Sequence, residues 1–409
     1  MKYKAFLLEE LTNAIFSGGT PSKSIKEYWN GDINWLSSGE TRNNFIYQTD
    51  NKITSLGVEK SSTRKAQKGN VVIASAGQGK TRGQVSFLKI DTFINQSIIA
   101  IEVNNNLLDE KYLFYNLKSR YRELRSISDS ASVRGSLTTK MFKNLKIDIP
   151  SLKYQKKISK ILYTLDSKIE VNNKIIDNLE QQAQAIFKSW FIDFEPFQDS
   201  EFVDSELGPI PKGFGVKKVK EICEIKIGRT PSRKQSEWFS NKSGIKWVSI
   251  KDMGNSKIFI SETSEYLTSE AIKKFNIPMV EKGTLLLSFK LTVGRISIAQ
   301  DTMTTNEAIA NFSKTTVNSY YLYYVFKNLN FNSLGNTSSI GNAVNSSIIK
   351  DISILVPNQE LLEKFIFIIT PIMEMISNLI FQNQKLAATR DLLLPKLMSG
   401  ELDVSDLDI

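Results

Sequence analysis

The sequence predicts a mixed α/β protein built as two similar globular domains, each followed by a long amphipathic helix. Three observations predict it. The chain has 409 residues with 41% apolar side chains, a pattern of residues returns after about 210 positions, and an apolar stripe with helical spacing follows each copy. Such a length allows two or three domains with real cores.

The first domain is placed at residues 1–150. Its runs VVIASA, SIIAIEV and LKIDIP, bounded by Gly, Asn and Pro, read as strands, whereas DEKYLFYNLKSRYRELRSI has helical spacing. The second domain, residues 213–356, restates it in order. GGTPSKSIKEYWNGDINWLSSGE at 18–40 returns as GRTPSRKQSEWFSNKSGIKWVSIKD at 228–252, KGNVVIASAG as KGTLLLSFKL, INQSIIAI as TNEAIANF, and KYLFYNLKS as YYLYYVFKN. A period this long exceeds that of any solenoid, so the repeating unit is a domain.

Long helices are expected at 151–192 and 357–400, with a linker at 193–212 and a tail at 401–409. Leu162, Leu165, Ile169, Ile176, Leu179, Ala183, Ile186 and Trp190 fall on a seven-residue seam whose one polar member is Asn172. Phe365, Ile368, Ile372, Met375, Leu379, Leu386 and Leu393 form the second seam, with Gln382 and Thr389 as polar members. Helices of this length overhang a domain of ~150 residues, so they are expected to pair as a coiled coil, with a kink or break at Pro371. The linker's aromatic residues predict that it is docked.

Charge divides unevenly. Residues 1–150 and 213–356 each carry a surplus of eight positive charges, whereas residues 151–212 and 357–409 are acidic, within a total of +10. Two basic domains point to a polyanion bound by both. The absence of histidine excludes hydrolysis that depends on it and the usual zinc sites, and the single Cys223 allows no intrachain disulfide. No stretch of about 18 uninterrupted apolar residues and no signal-peptide pattern is found, which predicts a cytoplasmic chain with no membrane partner.

Two motifs invite a catalytic reading. ASAGQGKT at 74–81 fits a relaxed phosphate loop, but strand-like alternation follows where a helix should begin, which favours a polar hairpin. Glu224-x-Lys226 resembles a fragment of a metal-dependent nuclease, yet alternation places it in an ordinary strand. The basic, amide-rich loops remain. Arginine and amide side chains read base edges, and lysine holds phosphates. The candidates for DNA contact in the first domain are Lys23, Lys26, Arg42, Asn43, Asn44, Arg64, Lys65, Gln78, Lys80, Arg82 and Arg134. Those of the second are Arg229, Arg233, Lys234, Lys251, Lys290, Arg295, Asn342 and Asn345. Trp29, Trp35, Trp238 and Trp247 read as core anchors.

The paired GGTPS and GRTPS openings, SVRGSLTTKMFKNLKIDIPSLKYQKKI, LEQQAQAIFKSWFIDFEPF with SELGPIPKGF, and RDLLLPKLMSGEL occur in an order that resembles the specificity subunit of type I restriction-modification systems. The resemblance covers nearly the whole chain. It implies two target recognition domains in a pseudo-two-fold arrangement, each reading one half of a split DNA site. The two helices would pair antiparallel as a spacer and dock two modification methyltransferase subunits, to which restriction/translocase subunits add. S-adenosylmethionine, ATP and magnesium would serve those partners, with no cofactor and no catalytic residue in this chain. The competing readings are a P-loop ATPase or nuclease acting on nucleic acid, and an adaptor that binds only protein.

Overall fold

The computed structural model describes residues 2–77, 79–131, 135–331 and 345–408. The chain forms two compact units, Met1–Glu170 with Gln384–Ile409, and Val171–Asn383.

Unit 1 is built on a five-stranded sheet of β1 (Thr12–Ser17), β2 (Phe45–Ile46), β3 (Val71–Ala74), β4 (Val85–Leu88) and β5 (Ile98–Val103), ordered β1-β5-β3-β4-β2. Neighbours are antiparallel except β2 and β4. Burial on both faces explains why β3 is uninterruptedly apolar: Val71 and Ile73 enter a core with Tyr112, Leu113 and Phe114, and Val72 enters another with Leu36, Ile46 and Ala100. Buried Ser86 on β4 donates to the Asn43 carbonyl at 2.6 Å, which satisfies its hydroxyl.

Unit 2 repeats the plan with β6 (Glu224–Ile227), β7 (Phe259–Ile260), β8 (Leu285–Ser288), β9 (Ile296–Ala299) and β10 (Ile309–Ser313), ordered β6-β10-β8-β9-β7. The permutation and the single parallel pair, β7 with β9, match those of unit 1. A four-stranded sheet containing Trp35 or Trp247 completes each unit. The duplication read in the sequence is thus a duplicated topology.

Helix α1 spans Leu152–Phe191 and α2 spans Gln359–Ser399. Asn358 caps α2 by accepting from the Leu361 amide at 2.9 Å, and Gly400, at φ +78°, ends it in the left-handed conformation. Within unit 1, Ile158 and Leu162 share a core with Leu394 and Leu397. Within unit 2, Ala183 and Phe187 share one with Phe365, Ile369 and Met373. Asn172 Nδ2 donates to Gln382 Oε1 at 2.7 Å and Asn383 Oδ1 at 2.8 Å, so the expected polar seam positions 172 and 382 do meet. Rising numbers on one helix face falling numbers on the other, which makes the pairing antiparallel in each unit.

The seam assigned to the second helix needs correction. Ile368 and Met375 are exposed, and Ile369, Met373 and Ile376 take the buried positions. A strict heptad suits a helix with one neighbour. This one packs against α1 and the unit 2 core together, so its buried stripe is wider and follows the 3.6-residue period. Of the kink or break expected at Pro371, the break does not occur: α2 runs through that exposed residue uninterrupted.

An 18-residue window of α2, at mean hydropathy 1.6, is apolar enough to cross a membrane by composition alone. In unit 2 its Phe365, Ile369, Met373 and Ile376 are core residues. The linker is docked as expected. Phe194 and Phe197 each meet the Phe214 ring edge-on, and Phe214 meets Phe191 of α1.

Candidate nucleic-acid interface

The strand pairing gathers loops at one edge of each sheet. In unit 1 the ends of β1 and β3 lie beside the starts of β4 and β5, and the parallel pair brings the start of β2 to the same edge. Three segments emerge there: the turn 18–22, the hairpin 75–84 and the approach 42–44. Unit 2 presents the turn 228–232, the hairpin 289–295 and the short helix Ile250–Asn255 that leads toward β7.

The repeated turn is held identically in both. Trp35 Nε1 donates to the Gly19 carbonyl at 3.3 Å, and Trp247 Nε1 to the Arg229 carbonyl at 3.2 Å. The Thr20 hydroxyl donates to Gln96, and the Thr230 hydroxyl to Glu307. A Cβ on Gly18 would stand 1.9 Å from the Ile94 carbonyl oxygen, and one on Gly228 2.2 Å from that of Thr305. Glycine is required because the backbones touch. Trp35 and Trp247 are therefore scaffold, with Trp29 packed edge-on to Trp35 at 5.0 Å.

Around this frame the candidates separate. Lys23, Lys26, Arg42 and Lys80 are exposed, with no ion-pair partner among the described residues, and so are Lys234, Lys251 and Lys290. Arg42, Asn43 and Asn44 lead into β2 at the interface edge, where the two amide side chains are free of hydrogen bonds among the described residues. Arg64 is exposed and stacks its guanidinium 4.2 Å above Phe16 at the end of β1, a placement that leaves its donors available. Lys65 pairs with Asp91 at 2.7 Å, which holds that carboxyl below its usual value. Exposed Arg229 donates to the Phe275 carbonyl at 3.0 Å. Arg233 makes two bonds to Glu265, at 2.7 and 2.8 Å, and lies over Phe239 and Trp247.

Three further candidates are engaged by the fold itself. Arg82 is 7% exposed and belongs to the fold, donating to the Gly135 carbonyl at 2.7 Å and pairing with Asp129. Arg295 donates to the Ile250 carbonyl at 2.5 Å and ties the hairpin to the helix that carries Lys251. Asn345 caps the helix Ser346–Lys350, accepting from the Ile348 amide at 2.9 Å. Gln78, Arg134 and Asn342 lie outside the described residues.

Sequence reasoning missed what positions the unit 1 hairpin. The Tyr121 hydroxyl donates to the Lys80 carbonyl and Arg125 Nη1 to that of Gly79, both at 2.9 Å. Both residues lie on a helix, Tyr121–Ala131, and nothing in its spacing marks them as loop supports.

The catalytic motifs dissolve. ASAGQGKT turns directly into β4, so no helix N-terminus stands behind Lys80 to receive a phosphate. Glu224 faces outward between Lys226 at 3.0 Å and Lys314 at 2.9 Å, its carboxyl lowered by those bonds. Burial pushes the Cys223 thiol up to about 12, away from the thiolate that a nucleophile needs.

The profile of the type I restriction modification DNA specificity domain matches this chain twice, at residues 2–181 and 211–380. The chain belongs to the type I restriction-modification specificity subunit family. The specificity subunit of the type I restriction enzyme MjaIX of Methanocaldococcus jannaschii is 31% identical over 96% of this chain and 92% of its own. That of HindI from Haemophilus influenzae is 24% identical over 91% of this chain and 94% of its own. The crystal structure of the type I S subunit from M. genitalium superposes with a TM-score of 0.59 at 15% identity, covering 97% of this chain and 96% of that one, and so shares the fold. The two profile matches each take in one copy of the turn, hairpin and approach described above.

Proposed function

We propose that this specificity subunit reads a bipartite DNA site, one half through each unit, and directs adenine methylation or cleavage carried out by partner subunits. The observation that supports it is the duplicated sheet edge. The same turn, hairpin and approach recur in two units, and exposed cations with no ion-pair partner among the described residues stand on them. Two short half-sites at a fixed separation specify a sequence that neither could specify alone. The length of α1 and α2 sets the gap. Two methyltransferase subunits dock on the helices, where Phe367, Met375 and Phe381 of α2 expose apolar surface, 84%, 52% and 54% accessible. Restriction/translocase subunits complete the assembly in the cytoplasm. S-adenosylmethionine, ATP and magnesium are used by those partners, and this chain supplies recognition without catalysis.

The test is a map of methylated adenines in the source genome with and without the gene. A split motif should disappear on deletion, and exchanging residues 1–150 for those of a relative should change one half of it. A change in both halves would refute modular reading, and no change in methylation on deletion would refute the function.

A further inference from the structure

The hairpin between β8 and β9 breaks two rules at one residue. Leu291 is 96% exposed, and it holds a φ of +63°. A side chain with a Cβ is disfavoured in that left-handed region, and an apolar one in water recovers nothing by burial. The hairpin of unit 1 meets a similar turn with Gly79, also at +63°, where no side chain opposes it.

The conformation is imposed from below. The Thr292 amide donates to the Lys290 carbonyl at 2.7 Å across Leu291, the i to i+2 bond of a γ-turn, whose positive-φ form is rare and strained. Buried Ser288 braces both arms. Its Oγ donates to the Thr292 carbonyl at 2.5 Å and accepts from the Arg295 amide at 3.0 Å, and its own carbonyl accepts from the Gly294 amide at 2.9 Å. A leucine is thus held outward at the candidate interface, beside Lys290, which is exposed and has no ion pair among the described residues. Strain kept in place by the surrounding structure points to use.

Resting on the DNA-reading function proposed above, we propose that Leu291 is a base-reading side chain of unit 2 and that it contacts the 5-methyl group of a thymine in the major groove. The turn 289–295, which joins β8 to β9, projects beyond the end of the five-stranded sheet. The major groove, about 12 Å wide, displays the thymine methyl group, whereas the minor groove, about 6 Å wide, does not. Among the base edges displayed there, the thymine methyl is the apolar feature, and the donors and acceptors around it are groups that leucine cannot answer. Lys290 and Lys251 flank the tip as phosphate contacts, which would position the turn without reading sequence.

The test uses the full chain assembled with its methyltransferase partners, and duplexes that carry the mapped site. Each thymine of both half-sites is replaced in turn by deoxyuridine, which removes the methyl group alone. One replacement should weaken binding about fourfold, the factor to which burial of one methyl group, about 0.8 kcal/mol, corresponds. Leu291→Gly relieves the positive-φ strain and keeps the turn. It should bind the thymine duplex more weakly and show no further loss on that one replacement, while losses at other positions persist. The proposal is overturned if no replacement weakens the parent complex, if Leu291→Gly binds like the parent, or if the variant still distinguishes thymine from uracil wherever the parent does. A parent complex that binds no mapped duplex would instead remove the DNA-reading function itself.

Discussion

Tyr115 of unit 1 and Tyr324 of unit 2 stand at corresponding places on the repeated helix, yet they meet opposite chemistries. Tyr115 donates to Asp166 Oδ2 at 2.7 Å, and Asp166 Oδ1 accepts from Arg390 Nη1 at 2.5 Å in an ion pair whose side chains are 3% and 11% exposed. The Tyr324 hydroxyl lies 3.5 Å from the sulfur of Met373, beside Phe187 and in the same core as Ala183. Counted from Pro150 and Pro357, Asp166 corresponds to Met373 and Ala183 to Arg390. One junction is ionic where the other is apolar. A buried ion pair stabilises little beyond a well-packed apolar pair, but either partner left alone is costly. The difference therefore acts on specificity: a shifted helix register would part Arg390 from Asp166 and leave it only Asp391, its exposed neighbour on the same helix, much as a buried polar residue fixes register in coiled coils.

The largest expected effect comes from breaking that junction on one side. Asp166→Met should destabilise the protein by about 1–3 kcal/mol, because Arg390 loses its buried carboxylate and keeps only Asp391, its exposed neighbour on the same helix. Urea unfolding measures it, and a loss under about 1 kcal/mol would show that Asp391 or water is enough to compensate the charge. The double substitution Asp166→Met with Arg390→Ala rebuilds in unit 1 the pairing of unit 2. It should unfold within about 1 kcal/mol of the parent, or above it, since an apolar pair replaces the ionic one. Should the double variant be as unstable as the single, the charges would not be what separates the two junctions.

Much of this fold was legible in the sequence, and the reasons for the rest are physical. The Gly-x-Thr-Pro-Ser turns and their tryptophans could be read because backbone contact and burial leave those positions little choice. The long helices could be read from their period. Which face of α2 is buried could not, since that depends on a globular core brought in by residues far along the chain. Arg82 looked like a DNA contact because a local pattern cannot tell that its partner is the carbonyl of Gly135. Leu291 carried no signal, because a positive φ is invisible in the letters. The ionic junction did leave one: Asp166 and Arg390 are charges set against the apolar seams of two long helices. The loops expected to meet DNA could be placed on the fold, but which of their cations lack an ion-pair partner among the described residues follows only from the tertiary contacts that occupy the others.

The smallest effect separates the two junctions by pH. Lys118, 5.6 Å from the centre of the Phe114 ring, has its ammonium pushed down to about 8, first by burial and then by the charge of Arg390, with Asp166 pulling the other way. An unfolded lysine titrates near ~10.4. Between about 8 and that value the unfolded chain binds more protons than the folded one, so stability rises with pH across the window, and the penalty is fully present below it. Lys118→Met should therefore be more stable than the parent at neutral pH, by an advantage that shrinks as pH rises through the window and is gone near its upper end. Lys327, the corresponding lysine of unit 2, faces Glu180 at 3.7 Å, so Lys327→Met removes an attraction and should bring no such gain. Urea midpoints of the three proteins at successive pH values cancel the background titrations they share. A Lys118→Met advantage that failed to narrow with pH would mean that packing, and not the lysine charge, distinguishes the ionic junction from its apolar counterpart.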